Sequence, residues 1–128
     1  MAGKSSAASP ALKPRFRVVC GENIALGPGK VELLAQVDET GSISEAAKRL
    51  GMSYNRAWLL IKTMNICFKE PVIAAVRGGH TRGGAELTKT GKKILSLYRQ
   101  LEIEAREATR KTWSQIESRL KRGQLSAR

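Results

Sequence analysis

Cysteine, histidine and long apolar runs are all scarce in this chain. Only two cysteines occur, Cys20 and Cys67, with no CxxC spacing, and one histidine stands among 128 residues. Such a set makes no metal site by spacing, and in a reducing compartment both thiols are expected to stay free. No apolar run approaches the roughly 20 residues of a membrane span, so no membrane partner is expected. An early Lys4 is not followed by an apolar segment before Pro10, which argues against secretion and for a cytoplasmic protein. Acidic residues are few as well: 11 Asp and Glu face 23 Lys and Arg, for a formal net charge of +12. That excess selects polyanions as partners, nucleic acid first, although anionic membranes and ribosomal RNA also attract basic chains.

At 128 residues the chain is long enough for one domain with a modest core. Residues 1–13 are rich in Ser, Ala and Lys and read as a disordered basic tail. In PRFRVVC, Phe16 and Val18 alternate with Arg15 and Arg17, as in a short strand with one wet face. Gly21 and Glu22 turn it, Ile24 to Leu26 can add a bridge, and Gly27-Pro28-Gly29 breaks the chain again. From Lys30 to Gly41 a helical stripe of Val31, Leu34 and Val37, with Leu33 beside it, predicts a first helix.

The stretch SEAAKRLGMSYNRAWLLIKTMN, residues 44–65, reads as two short helices joined by a tight turn. Ser44 offers a hydroxyl to cap the first, and Ala46, Ala47 and Leu50 give it an apolar side. Gly51 supplies the turn, Ser53 caps the second helix, and Ala57, Leu60, Ile61 and Met64 pack it down. A small residue followed by glycine at the turn is the pattern of a helix-turn-helix. Tyr54, Asn55, Arg56 and Lys62 then face outward, where donors and acceptors in fixed directions read base edges. The plainer alternative is a helical hairpin whose polar face is simply wet.

Pro71 ends helical structure, and VIAAV over Val72–Val76 reads as a strand. A glycine-rich tip carrying Arg77, His80, Thr81 and Arg82 follows, then Ala85-Glu86-Leu87-Thr88, which together predict a hairpin wing able to lay cations on phosphates or in the minor groove. A nucleotide-binding loop is rejected. Counting from Gly78 to Gly83 places Gly84 and Ala85 where that motif needs Lys and Ser or Thr. His80 has no acid or nucleophile at a defined spacing, so no catalysis, cofactor or metal is expected. Thr88 or Thr90 can cap a long helix, whose Lys89, Lys92 and Lys93 oppose the helix dipole and so suggest phosphate contact, loosely solvated lysines being the alternative. Along it Ile94, Tyr98, Leu101, Ala105, Ala108, Thr112, Ile116 and Leu120 recur at steps of three and four. That stripe is longer than one small domain covers and predicts a partner helix, with a frayed end as the alternative.

The segments GSISEAAKRLGMSYNRAWLLIKTMN and RGGHTRGGAELTKTG resemble the N-terminal DNA-binding domain of the ModE family of molybdate-responsive transcription regulators, and more distantly the winged helix of LysR-type regulators. The similarity covers roughly Arg15 to Leu101. It implies a winged helix-turn-helix, an inverted-repeat operator, and dimerisation through terminal elements. In this sequence those would be the strand with Phe16 and Val18 and the last helix with Tyr98, Leu101, Ala105, Ala108, Thr112 and Ile116. Carried over by position, Ser53, Tyr54, Asn55 and Arg56 fall on the start of the recognition helix, and Trp58 is read as a packing residue. The wing here has His80-Thr81-Arg82 where the family pattern is Lys followed by glycines. The sequence given stops at Arg128, without the family's C-terminal ligand domains, so molybdate binding is not implied.

The expected fold is mostly α with a small β-wing. It comprises a basic tail over 1–13, a winged helix-turn-helix over 14–88, a long dimerisation helix over 89–122 and a flexible tail over 123–128. The expected function is a homodimeric, sequence-specific regulator of transcription on double-stranded DNA. Bases would be read by Ser53, Tyr54, Asn55 and Arg56, and phosphate or wing contacts made by Ser44, Lys62, Arg77, His80, Thr81, Arg82, Lys89 and Lys92. A non-specific architectural protein and an interaction partner of another regulator are the alternative functions.

Overall fold

A computed structural model of the chain describes residues 9–76 and 84–121. Two units are distinguished, Arg15–Gln100 and the segments on either side of it.

Strands β1 (Val18–Cys20) and β2 (Asn23–Leu26) form an antiparallel hairpin with Cys20 opposite Asn23. Gly21 takes φ +62° at the first of the two turn residues, a position that glycine fills without steric cost. The ladder begins only at Val18, within the expected PRFRVVC stretch, and Phe16 ahead of it packs against the core. Helix α1 (Pro28–Thr40) starts where a chain break was expected. Pro28 occupies the first turn, where its fixed φ is pre-set for a helix and its missing N–H costs nothing. The helix buries Val31, Leu33, Leu34 and Val37 and ends at Gly41 (φ +71°), whose N–H donates to the Val37 carbonyl at 2.8 Å.

Helix α2 (Ile43–Arg49) is capped by Ser42, not by Ser44: the Ser42 hydroxyl oxygen accepts from the Glu45 N–H at 3.1 Å. The physical reason is Ile43, which is buried with Ala46 and Ala47, so the helix must begin early enough to turn it inward. Ser44 is left exposed in the first turn. After Gly51, at φ +69°, helix α3 (Tyr54–Cys67) is capped as expected, with the Ser53 oxygen accepting from the Arg56 N–H at 3.0 Å. Its Ala57, Ile61 and Met64 join the core.

The wing is the antiparallel pair β3 (Ile73–Ala75) and β4 (Ala85–Leu87), with Ile73 opposite Leu87. Its base is pinned to the turn between α1 and α2: Ser42 bridges Gly84, and the Ala85 N–H donates to the Gly41 carbonyl at 3.0 Å. The tip residues Arg77, His80, Thr81 and Arg82 lie outside the described residues.

Helix α4 (Lys89–Ala108) begins at Thr88, whose hydroxyl accepts from the Gly91 N–H at 3.0 Å and donates to the Pro71 carbonyl at 2.6 Å. Gly91 lies against the backbone of Val72 so closely that a Cβ built on it would sit 2.1 Å from the Val72 oxygen. Leu95 and Tyr98 are also buried, and this corrects one expectation. Tyr98, 1 % exposed, cannot serve a dimer interface. Its hydroxyl donates to the Phe16 carbonyl at 2.9 Å, and the two rings meet edge to face at 6.5 Å, an arrangement aromatic pairs prefer. Phe16 is accordingly half-buried within its own protomer.

The long C-terminal helix is present as α4, and a single break at Thr109, φ −101°, ψ 3°, separates it from α5 (Arg110–Glu117). Thr109 Oγ1 donates to the Ala105 carbonyl at 2.6 Å, a back-bond of the kind that bends helices. The path stays helical across it, since the Trp113 N–H still donates to the Thr109 carbonyl at 2.8 Å.

Gly91→Ala should lower the urea midpoint, corresponding to a loss of about 1–3 kcal/mol in stability, because the obstacle is the Val72 backbone. Tyr98→Phe, which removes the bond from the Tyr98 hydroxyl to the Phe16 carbonyl, should cost about 1 kcal/mol in the same assay.

Candidate nucleic-acid interface

One face of α3 is fixed by burial, and that decides what the other face presents. With Ala57, Ile61 and Met64 turned into the core, a helix of about 3.6 residues per turn directs Asn55, Leu59, Lys62 and Ile66 the opposite way. Tyr54, Asn55 and Arg56 are all exposed in the first turn, as expected, and Lys62 is exposed two turns on. Ser53 uses its hydroxyl oxygen to hold the helix start. Trp58 departs from expectation: it is 45 % exposed and does not pack into the core. The reason is its phase on the helix, about 100° round from the buried Ala57 and so on the flank of the buried edge. Trp58, Asn55, Leu59, Lys62, Asn65 and Ile66 line an open hollow of about 730 Å³ along α3.

Asn65 belongs to this helix and to the wing together. Its Oδ1 accepts from the Val72 N–H at 2.7 Å and its Nδ2 donates to the Ile73 carbonyl at 3.4 Å, so the last turns of α3 set where β3 begins. The sequence alone, in which Asn65 closes the helix-turn-helix segment, assigns it no task. A polar side chain one residue past a core methionine, shortly before a strand, was the available signal.

A second residue missed from sequence is Lys30, half-buried in the first turn of α1. Burial pushes its ammonium below the usual lysine value; Cys67 works the other way, and the Arg56 guanidinium adds to the depression. A cation from α1 therefore lies within electrostatic reach of the start of α3. The two cysteines, 47 positions apart in the chain, also meet and remain free thiols, as expected. Burial raises the Cys67 thiol, and the charge of Cys20 and a hydrogen bond with it raise it further, against an opposing pull from Lys30.

The remaining expected residues are distributed along the chain. Ser44, Lys89 and Lys92 are exposed, each in the first turn of its helix. Val18 is exposed on β1, Leu101 and Ala108 on α4, and Thr112 and Ile116 on α5, while Ala105 is half-buried. Among the described residues no group of three or more metal-binding side chains comes together, and no helix is long and apolar enough to cross a membrane.

A tight two-helix turn with an exposed polar helix start, flanked by a hairpin tied to that helix, defines a winged helix-turn-helix. Residues 29–92 match the family described as bacterial regulatory helix-turn-helix protein, lysR family. That match takes in half of the chain, and the chain belongs to this family. Among curated relatives, the molybdenum transport protein ModE of Azotobacter vinelandii is 43 % identical over 84 residues, which is 66 % of this chain and 31 % of that protein. The molybdenum-pterin-binding protein MopB of Rhodobacter capsulatus is 43 % identical over 77 residues, 60 % of this chain and 28 % of its own length. The DNA-binding transcriptional dual regulator ModE of Escherichia coli K12 is 38 % identical over 71 residues, 56 % of this chain and 27 % of that one. The chain thus corresponds to under a third of the length of these relatives. Among solved structures, the CbnR DNA-binding domain from a crystal structure of its DNA complex superposes with a TM-score of 0.50 at 23 % identity. It covers 67 % of this chain and 94 % of that one, a likeness of fold.

Asn65→Ala should leave the Val72 amide without its partner at a cost of about 1–3 kcal/mol. Hydrogen exchange should quicken at Val72 while the amides of α2 keep their protection.

Proposed function

We propose that this chain is a sequence-specific DNA-binding regulator of transcription that acts as a homodimer on an inverted-repeat operator. The observation that carries the reading is the exposure of Tyr54, Asn55 and Arg56 on the first turn of a helix whose opposite side is buried. Side chains so placed can enter a major groove: Asn pairs with adenine N6 and N7, Arg with guanine O6 and N7, each worth about 1–3 kcal/mol of discrimination. Ser53, whose hydroxyl holds the helix start, is assigned to base reading with them. Phosphate contacts are assigned to Ser44, Lys62, Lys89 and Lys92, and wing contacts to Arg77, His80, Thr81 and Arg82. The family membership, the relatives named as transcription regulators and the net charge of +12 support a nucleic-acid partner.

The dimer is proposed from exposed apolar groups, Leu101 on α4 and Ile116 on α5, with Ala105, Ala108 and Thr112 between them and Val18 and part of Phe16 on the N-terminal side. A two-fold pair would present two copies of α3 to half-sites one helical turn apart. The proposed division of labour gives DNA contact to the winged helix and association to the C-terminal helices. The setting is the cytoplasm, with no catalytic step, cofactor or metal.

Selection of bound fragments from a random duplex pool tests the whole reading: a recovered palindrome is expected, and a pool without enrichment overturns it. On the selected site Arg56→Ala should relax base preference, whereas Lys89→Ala should weaken all sequences alike. A gel-shift panel in which the two variants behave identically would contradict the assignment. With six to ten phosphate contacts per dimer, affinity should fall by about 10³ to 10⁵ between 50 and 200 mM salt.

A further inference from the structure

Leucine is among the residues most often buried, yet Leu59 is 61 % exposed in the second turn of α3. It stands four residues past Asn55 and three before Lys62, on the side of the helix turned away from Ala57, Ile61 and Met64. Two polar residues therefore bracket it on one line, and all three border the same open hollow. We propose that Leu59 is a specificity-determining residue that reads thymine, its branched end touching the 5-methyl groups that thymines project into the major groove. The proposal rests on the DNA-binding reading above and adds a chemical selection that its polar residues do not make.

The groove is about 12 Å wide and admits a helix, so side chains of the first two turns on the outward line face the base edges. Asn55 holds the first of those turns and Leu59 the second. Along the groove floor each base pair shows donors and acceptors, and the thymine methyl is the apolar feature. Leucine has neither donor nor acceptor. Set against a G·C edge it would strip water from polar base atoms and return no hydrogen bond, which is unfavourable. Set against a methyl it removes apolar surface from water on both partners. Attraction to thymine and exclusion of its competitors thus point the same way.

The other exposed apolar residues of α3 fit this role less well. Ile66 is 69 % exposed but lies seven residues further, about 10 Å along the axis, past Lys62, which is assigned to phosphate. Trp58 is turned toward the flank of the outward line and is better placed to cover the groove wall than its floor.

The test uses the full chain and the duplex recovered from the random pool. Each thymine of a half-site is replaced in turn by deoxyuridine, which keeps every hydrogen-bonding atom and lacks only the methyl. At one or two neighbouring positions wild-type affinity should fall about fourfold for each methyl lost, the worth of one buried group of that size. Leu59→Ala should bind the thymine and uridine duplexes equally, while Leu59→Met, which keeps an apolar tip, should retain the penalty. An unchanged unfolding midpoint verifies that both variants fold. The proposal is overturned by a half-site without thymine, by wild-type binding indifferent to every uridine, or by an equal uridine penalty in Leu59→Ala. In those cases an enriched palindrome still stands for the broader reading, whereas a pool without enrichment sinks both.

Discussion

The burial of one edge of α3 against the alanines of α2 governs the rest of this protein. Ala46, Ala47 and Ala57 are all essentially inaccessible, and with no side chain beyond Cβ they let the two helices lie close. Ile61 and Met64, further along α3, are buried in the same core. Because interiors are packed at near-crystalline density, this edge admits one rotation of α3 about its axis and no neighbouring one. That rotation is what aims Asn55, Leu59 and Lys62 outward together. Packing and recognition are therefore two sides of one constraint.

Around that contact runs a set of short polar ties that link elements distant in sequence. Ser42 caps α2 and bridges Gly84; Asn65 joins α3 to the start of β3; Thr88 caps α4 and holds Pro71. Ser42, Asn65 and Thr88 each use a side-chain oxygen to accept from a part-buried backbone N–H, a group that is costly to leave without a partner. The base of the wing is thus positioned by bonds from both its neighbours. Tyr98 and Phe16 perform the corresponding service at the other end of the unit, tying α4 to the N-terminal segment.

Most of this architecture could be read from the sequence, because its strongest signals are local. The stripe Val31, Leu34, Val37, the turn at Gly51, the cap at Ser53 and the strand of Val72–Val76 each follow from periodicity or turn chemistry within a dozen residues. The polar start of α3 was legible for the same reason. What escaped were contacts decided by partners far along the chain. Tyr98 looked like one member of a long stripe, and only the distant Phe16 draws it inside. Trp58 was judged by its bulk, where its angular phase on the helix decided the outcome. Ser44 and Ser42 are equally good caps in isolation, and the burial of Ile43 chooses between them. Lys30 comes near Arg56 through tertiary folding alone.

Gly91 carries a consequence for how sequences of this architecture can drift. Its neighbours Lys92 and Lys93 are exposed, so no packed group limits the size of a side chain there. At Gly91, by contrast, the facing group is a main-chain carbonyl, which no compensating replacement elsewhere can trim. A descendant bearing a methyl there would need to shift the Val72 backbone, which Asn65 ties to the end of α3. The position is a fixed point: the exposed surface can diversify while the close approach of Gly91 to Val72 stays closed to change.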